Sequence, residues 1–461
     1  MKKKKFAPFF ALIFAGALAL SCTACSFQSG TQTPYEVATE LGYDGSEADW
    51  IAAQSGAGTG MRELYAEAKE EGYTGSFIDF LREIGAGNTD DTANLNRALN
   101  SVVSITALFT EREGSATKTV SKLGSGVLYS LNKEEGDAYL ITNYHVVYDG
   151  NSTGTESVSH VSDRIYVYLY GGENADGAMQ AMFVGGVMQY DIAVLQIEGD
   201  TSVQLSDSDG THIHANKSVL SSSSARTIEA GDSDSLTVGE RAYAVGNPDG
   251  KGISVTRGVV SVLSEYIECK AADEKTDVRL PEIRTDAPIN HGNSGGGFFN
   301  AAGQYVGTVN ARSEKEDVVA FGYVLPGNFV LSVAQNIIDN RVNRGATFPA
   351  LGIGTTVAGS KGVYCEEDGK TYLMQTVAVE SIAFGSPVYG KLRKGDALYS
   401  LRVVRDGETV IERVITLQPQ VETVLFNIRL GDTLEITFSR SGTEDTVSVS
   451  FERAAQFTLL R

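Results

Sequence analysis

From Ser101 to the carboxy terminus, short runs of β-branched and aromatic residues alternate with glycine-containing polar turns. Ser101-Val102-Val103-Ser104-Ile105, Gly126-Val127-Leu128-Tyr129 and Ile165-Tyr166-Val167-Tyr168-Leu169-Tyr170 are examples. Such runs at a spacing of about ten residues predict antiparallel strands that close into a barrel or stack as a sandwich, not βαβ units. The amino-terminal region is patterned differently. Phe6 to Leu20 is an apolar run of 15 residues, interrupted only by Pro8 and Gly16 and preceded by Lys2 to Lys5. A spanning helix needs about 20 apolar residues, whereas a basic start before a shorter apolar stretch is the pattern of a secretory signal.

That apolar run ends in Ser21-Cys22-Thr23-Ala24-Cys25. Small residues ahead of a cysteine at this point resemble a bacterial lipoprotein cleavage site. The resemblance implies that Cys25 (or Cys22) is lipidated and becomes the first residue of the mature chain. A tandem repeat follows. Residues 35–51 and 65–81 align at an offset of 30, with Tyr35/Tyr65, Gly42/Gly72, Tyr43/Tyr73, Ser46/Ser76 and Asp49/Asp79 identical. Each copy reads as two short helices. Gly42 or Gly72 ends the first in a left-handed conformation, and Ser46 or Ser76 caps the second with an Asp three positions on. No chemistry is visible in these units, which suit a spacer or an adhesive module.

Composition narrows the function. The chain of 461 residues carries 38 Lys and Arg against 58 Asp and Glu, a net charge of −20. That balance argues against nucleic acid, whose binders must neutralise phosphates with cations. Four cysteines in the whole chain exclude a disulfide scaffold.

Three segments carry candidate chemistry: Ile141-Thr142-Asn143-Tyr144-His145-Val146-Val147, Tyr190-Asp191-Ile192-Ala193-Val194-Leu195 and Asn290-His291-Gly292-Asn293-Ser294-Gly295-Gly296-Gly297. Each alone is an ordinary strand end, turn or tight loop. Together they place His, Asp and Ser in the order used by one of the unrelated triad folds. A serine hydroxyl is a poor nucleophile at neutral pH and needs a base. His145 titrates in the right range to be that base, and Asp191 would fix its tautomer. The region from about 95 to 455 resembles the HtrA/Deg family of trypsin-like serine proteases with a carboxy-terminal PDZ domain. Ala244-Val245-Gly246-Asn247-Pro248, Val255 to Ser261, and Phe321-Gly322-Tyr323-Val324-Leu325-Pro326 also match that family's pattern.

The resemblance implies a mainly β protein: a chymotrypsin-like pair of six-stranded barrels plus a PDZ domain, preceded by the small helical tandem repeat. The implied division is 1–24 signal peptide, 25–33 linker, 34–90 repeats, 91–345 protease domain, 346–455 PDZ domain and 456–461 tail. It places the catalytic roles on His145, Asp191 and Ser294, the oxyanion hole on the amides of Gly292 and Ser294, and the substrate strand on Val309-Asn310-Ala311. Leu351-Gly352-Ile353 and an adjacent strand edge would hold peptide C-termini, with Ser386 starting a helix nearby. Partners would be unfolded protein or peptide substrates and, through the lipid anchor, a membrane; the family also allows a homotrimer. No cofactor and no metal is expected. His212 and His214, with Asp207 or Asp209, are the nearest thing to a ligand set, and residues 199–226 around them read as a solvated loop. Cys269 and Cys365 read as unpaired buried thiols.

Overall fold

The computed structural model describes residues 91–312, 321–366 and 368–461. Cys22, Cys25 and the tandem repeats lie outside these residues. Everything below belongs to one compact unit, Thr89–Arg461.

A short helix α1 (Thr92–Leu99) leads into six strands: β1 (Val102–Glu113), β2 (Ala116–Asn132), β3 (Asp137–Thr142), β4 (Arg164–Leu169), β5 (Met179–Val187) and β6 (Ile192–Ile197). They close into a barrel in the order β1-β2-β3-β6-β5-β4. The alternation in β1 explains the closure. Val103, Ile105, Ala107 and Phe109 point into the barrel core, while Val102, of opposite parity, joins the core between the barrels. Full burial of each large side chain stabilises the barrel by about 1.5–3 kcal/mol.

The segment expected as a solvated loop is structured. It forms the hairpin β7 (Ser202–Asp207) and β8 (Gly210–Ala215), after which comes a short helix α3 (Asn216–Ser222); α2 (Tyr144–Val147) lies earlier, after β3. The reason is visible in Asn216, which is fully buried. Its amide donates to the carbonyls of Gln180 and Glu198, both at 2.9 Å, and its Oδ1 accepts from Gln180 N–H. Val203, Leu220 and Ala225 are buried alongside. No serine count in the sequence betrays such a clamp.

A second barrel follows with β9 (Arg241–Gly246), β10 (Ser254–Lys270), β11 (Asp277–Thr285), β12 (Gly297–Asn300), β13 (Tyr305–Arg312) and β14 (Gly322–Pro326). It closes in the order β10-β11-β14-β13-β12-β9. The expectation of two six-stranded antiparallel barrels is met.

Helix α4 (Gly327–Asp339) then turns Phe329, Val330, Val333, Ala334 and Ile337 into the core shared by both barrels. Strand β15 (Ala346–Pro349) pairs with β22 (Phe457–Leu460), so the residues expected as a free tail close a two-stranded ribbon. Between them lie β16 (Ile353–Cys365), β17 (Lys370–Ile382), β18 (Ala397–Arg405), β19 (Glu408–Val414), helix α5 (Pro419–Leu425), β20 (Thr433–Arg440) and β21 (Thr443–Ser450). Their sheet runs β16-β17-β18-β20-β21, with β19 paired to β18, so β16 is an edge. Ser386 does not start a helix. Its hydroxyl donates to Leu351 O at 2.6 Å and accepts from Val388 N–H, and Gly390, at φ +78°, ends the turn after one cycle.

This sheet is tied to the barrels by Asn336 on α4, which is fully buried. Its amide donates to Phe426 O at 2.8 Å and Thr347 O at 2.9 Å. Its Oδ1 accepts from Thr347 N–H at 2.8 Å. Phe426 completes the joint, stacking edge-on against Phe329 and Tyr190 with centroids 5.7 and 5.5 Å away. Asn336→Ala strands several buried backbone groups. It is expected to lower stability by about 3 kcal/mol or more, read by urea unfolding.

Candidate active site

The three segments singled out in the sequence meet at one cleft of about 890 Å³, lined by His145, Asp191, Gly292, Ser294 and Asn310 among others. His145 is carried by α2, the single turn that follows β3. Asp191 ends a 3₁₀ turn before β6 and adopts a left-handed conformation, φ +53°. Aspartate tolerates that region better than most side chains, and several bonds hold it there. Its carbonyl accepts from Asn143 Nδ2 at 2.9 Å and from Tyr144 N–H at 3.1 Å. Its carboxylate then faces His145 squarely. Oδ1 accepts from the His145 backbone N–H at 2.9 Å, and Oδ2 lies 2.6 Å from Nδ1.

This pairing fixes the imidazole in the tautomer with Nδ1 protonated and leaves Nε2 for the cleft. Burial works against charge on the ring, but the Asp191 charge and hydrogen bond outweigh it, and the His145 pKa is raised above its ordinary 6.5. Lys122 opposes the rise from a distance.

Ser294 sits in the turn before β12. In this structure its hydroxyl donates to Asn310 O at 3.0 Å rather than to the imidazole. The backbone before it forms a tight turn, closed by Asn293 N–H on Asn290 O at 3.1 Å. Gly292 stands at its third position with φ +94°, the value a type II turn requires there. A Cβ at Gly292 would also lie 2.2 Å from Asn247 O. The His291 carbonyl accepts from Asp249 N–H at 2.8 Å. Because the peptide is trans, the Gly292 N–H is aimed away from Asp249. Neither that amide nor the Ser294 amide has a hydrogen-bond acceptor among the described residues, so two donors stand unused beside the serine.

A trypsin-like peptidase domain model matches residues 124–307. The serine protease Do-like HtrA of Lactococcus lactis is 29% identical over 395 residues, covering 80% of this chain and 84% of its own. The protein of that name from Bacillus subtilis is 28% identical over 358 residues, covering 75% of this chain and 66% of its own. Among solved structures, the HtrA-type protease AlgW with decapeptide is 22% identical, with a TM-score of 0.45, covering 81% of this chain and 99% of that one. The chain carries a trypsin-like peptidase domain and is a serine endopeptidase similar to the HtrA-type proteases.

The protease holds this loop with a residue that sequence reading passed over. Ser125 on β2 is fully buried and touches the loop three ways. Its hydroxyl donates to Gly292 O at 2.7 Å and accepts from Asn247 N–H at 2.8 Å. Its own N–H donates to Ser294 O at 2.8 Å. Gly295, at φ +83°, packs so closely here that a Cβ would stand 2.2 Å from Ser125 O. In the sequence Ser125 is one polar residue between two glycines, with no signal beyond the small size of its neighbours.

Other candidates fall outside the cleft or are silent in it. Cys269 lines it, but burial, then Glu282 and Asp191, push its thiol up to about 11. It is therefore a thiol and not a thiolate nucleophile at neutral pH. Cys269 and Cys365 are both unpaired and only partly buried. His212 bridges Asp176 at 2.6 Å and Asp207 at 3.0 Å through its two ring nitrogens. His214 bonds Ala178 O instead, and Asp209 takes no part in either contact. These residues do not converge as a ligand set.

Three outcomes are expected. Ser125→Ala leaves the Gly292 carbonyl and Asn247 N–H short of a partner and should destabilise the protein by about 2–3 kcal/mol, while lowering turnover because the loop loosens. In a Ser294→Ala background, nuclear magnetic resonance of the His145 ring should give a titration midpoint above 6.5. Replacing Asp191 by Asn removes the anion that favours the imidazolium, so the midpoint should fall.

Proposed function

We propose that the protease cleaves peptide bonds in unfolded or damaged extracytoplasmic proteins through an acyl-enzyme formed on Ser294. The observation that carries this reading is the convergence of a fixed His145–Asp191 pair and a glycine-flanked serine with two unused amides at one cleft. For attack, the Ser294 hydroxyl leaves the Asn310 carbonyl by rotating about its Cα–Cβ bond, and His145 Nε2 takes its proton. The serine oxygen then bonds to the substrate carbonyl carbon. His145 returns the proton to the departing amine, the C–N bond breaks, and water repeats the sequence to release the acid.

Negative charge on the tetrahedral intermediate meets the Gly292 and Ser294 amides, each such donor being worth roughly 10²–10³ in rate. Val309-Asn310-Ala311 on β13 would pair with the substrate backbone. The His145–Asp191 pair needs the imidazole neutral to begin, so the raised pKa makes kcat/KM fall on the acid side from above pH 6.5.

The carboxy-terminal sheet reads as a PDZ domain. Its edge strand β16 offers backbone groups to an added peptide strand, a mode that reads C-termini elsewhere. Leu351 N–H already donates to Pro349 O at 2.8 Å, so a terminal carboxylate would rest on Gly352 and Ile353. Gln418, at the start of α5, donates to Thr355 O on β16 at 2.8 Å and links the two elements.

We read the amino-terminal segment as a lipoprotein signal, with Cys25 (or Cys22) holding the enzyme at a membrane, and residues 34–90 as a spacer. A homotrimer would be consistent with the family. Among the described residues no helix is long and apolar enough to cross a membrane.

Purified protein is expected to degrade unfolded casein, and Ser294→Ala should lower the rate by about 10⁴-fold or more without loss of folding. Mass spectrometry of the products reports cleavage and its sites together. Cleavage undiminished in Ser294→Ala would remove that residue from the mechanism.

A further inference from the structure

Asn310 is the extra residue of a β-bulge. Val309 pairs with Val324 and Ala311 with Tyr323, which leaves nothing on β14 opposite Asn310. A bulged residue drops out of the ladder, so its direction is set by whatever else holds it. Two bonds do so here. The Asn310 carbonyl accepts the Ser294 hydroxyl at 3.0 Å. Its side-chain amide, turned inward, donates to Glu282 Oε1 at 2.6 Å.

Glu282 is fully buried, and no step of the reaction uses it. It lies on the face of β11 opposite Ile283, whose side chain fills the second barrel, and on the same face as Leu280, which belongs to the core shared by both barrels. Its other oxygen, Oε2, is buried with no hydrogen-bond partner among the described residues. The charged groups around it are unfavourable to a carboxylate. Asp191, from the turn before β6, and Glu265, on β10, are both negative. Cys269, also on β10, is a thiol. Arg284, next but one on β11, is engaged with Glu265 at 3.6 Å. Burial therefore holds the Glu282 pKa well above the usual carboxylate range; the Asn310 bond opposes this and the two acids reinforce it.

We propose that Glu282 is a positioning residue that pegs the Asn310 bulge and through it aims the strand carbonyl facing Ser294, which receives the substrate backbone in the complex. This rests on the reading of Ser294 as nucleophile and of residues 309–311 as the substrate strand. The acid acts in its neutral form. An ionised carboxylate with one hydrogen bond and two acidic neighbours is strongly disfavoured. A glutamic acid, unlike an aliphatic residue, offers the Asn310 amide an acceptor at a depth water does not reach.

The test separates strand positioning from the chemistry at Ser294. A small alkyl fluorophosphonate bonds to the serine oxygen and expels fluoride while making no contact along a substrate strand. Glu282→Ala and the volume-filling Glu282→Leu are expected to lose about tenfold or more in kcat/KM on extended peptides, mostly through KM. Their fluorophosphonate labelling should stay within about threefold of wild type. Glu282→Gln keeps an acceptor in place and should recover most of the loss. The melting temperature of Glu282→Gln should exceed that of wild type by a margin that widens from pH 4 to pH 8. Over that range the unfolded wild type releases a proton that the folded form must keep.

Full peptide turnover in Glu282→Ala or Glu282→Leu overturns the proposal. So does a parallel loss of labelling in folded protein, and a thermal margin that does not change with pH overturns the neutral form. Wild type that fails to label at all overturns the Ser294 assignment beneath it.

Discussion

Two barrels make one active site only if the loop bearing Ser294 is held by both. That loop belongs to the second barrel, yet its conformation is set by Ser125 from the first. Ser125 supplies an acceptor to Asn247, a donor to Gly292 and a backbone donor to Ser294. These groups are buried, so each unmade bond carries its full desolvation cost. The positive φ of Gly292 and the aim of its amide follow from this clamp, together with the hold of Asp249 on the His291 carbonyl. His145 is fixed by the same logic from the other side, through an Asp191 whose backbone is itself gripped by Asn143 and Tyr144.

Around this frame the protein sorts its interior acids by what surrounds them. Asp191 accepts from a backbone amide and an imidazole at once. Glu282 has one donor and one orphaned oxygen, which suits a neutral acid. Glu422 on α5 is a third case. Its Oε2 is buried without a hydrogen bond, and burial, eased by Arg279, raises its pKa to about 7. One low-dielectric interior thus surrounds its acids differently, and burial raises the pKa of Glu282 and Glu422.

The carboxy-terminal sheet is not a loose appendage. Phe426 enters the core that both barrels share, and Tyr190, the residue before Asp191, packs on it. The buried Asn336 is committed to backbone groups on both sides of the joint. Helix α5 is therefore in van der Waals continuity, through Phe426, with the turn that carries Asp191.

Sequence alone determined the β-rich class, through runs of alternating apolar residues whose period admits few other folds. It also marked His145, Asp191 and Ser294, because reactive side chains in a fixed order within characteristic neighbours form a local signal. Tertiary structure decided what holds them. Ser125, Asn216, Asn336 and Glu282 are ordinary polar residues in the sequence, and nothing local distinguishes them from surface positions. Their importance lies in partners between 11 and 167 residues away. The hairpin in the segment read as a loop, the strand formed by the expected tail and the turn at Ser386 went unread for the same reason. A buried hydrogen bond is worth much only once the fold has excluded water, and the chain carries no record of that exclusion until its distant parts have met.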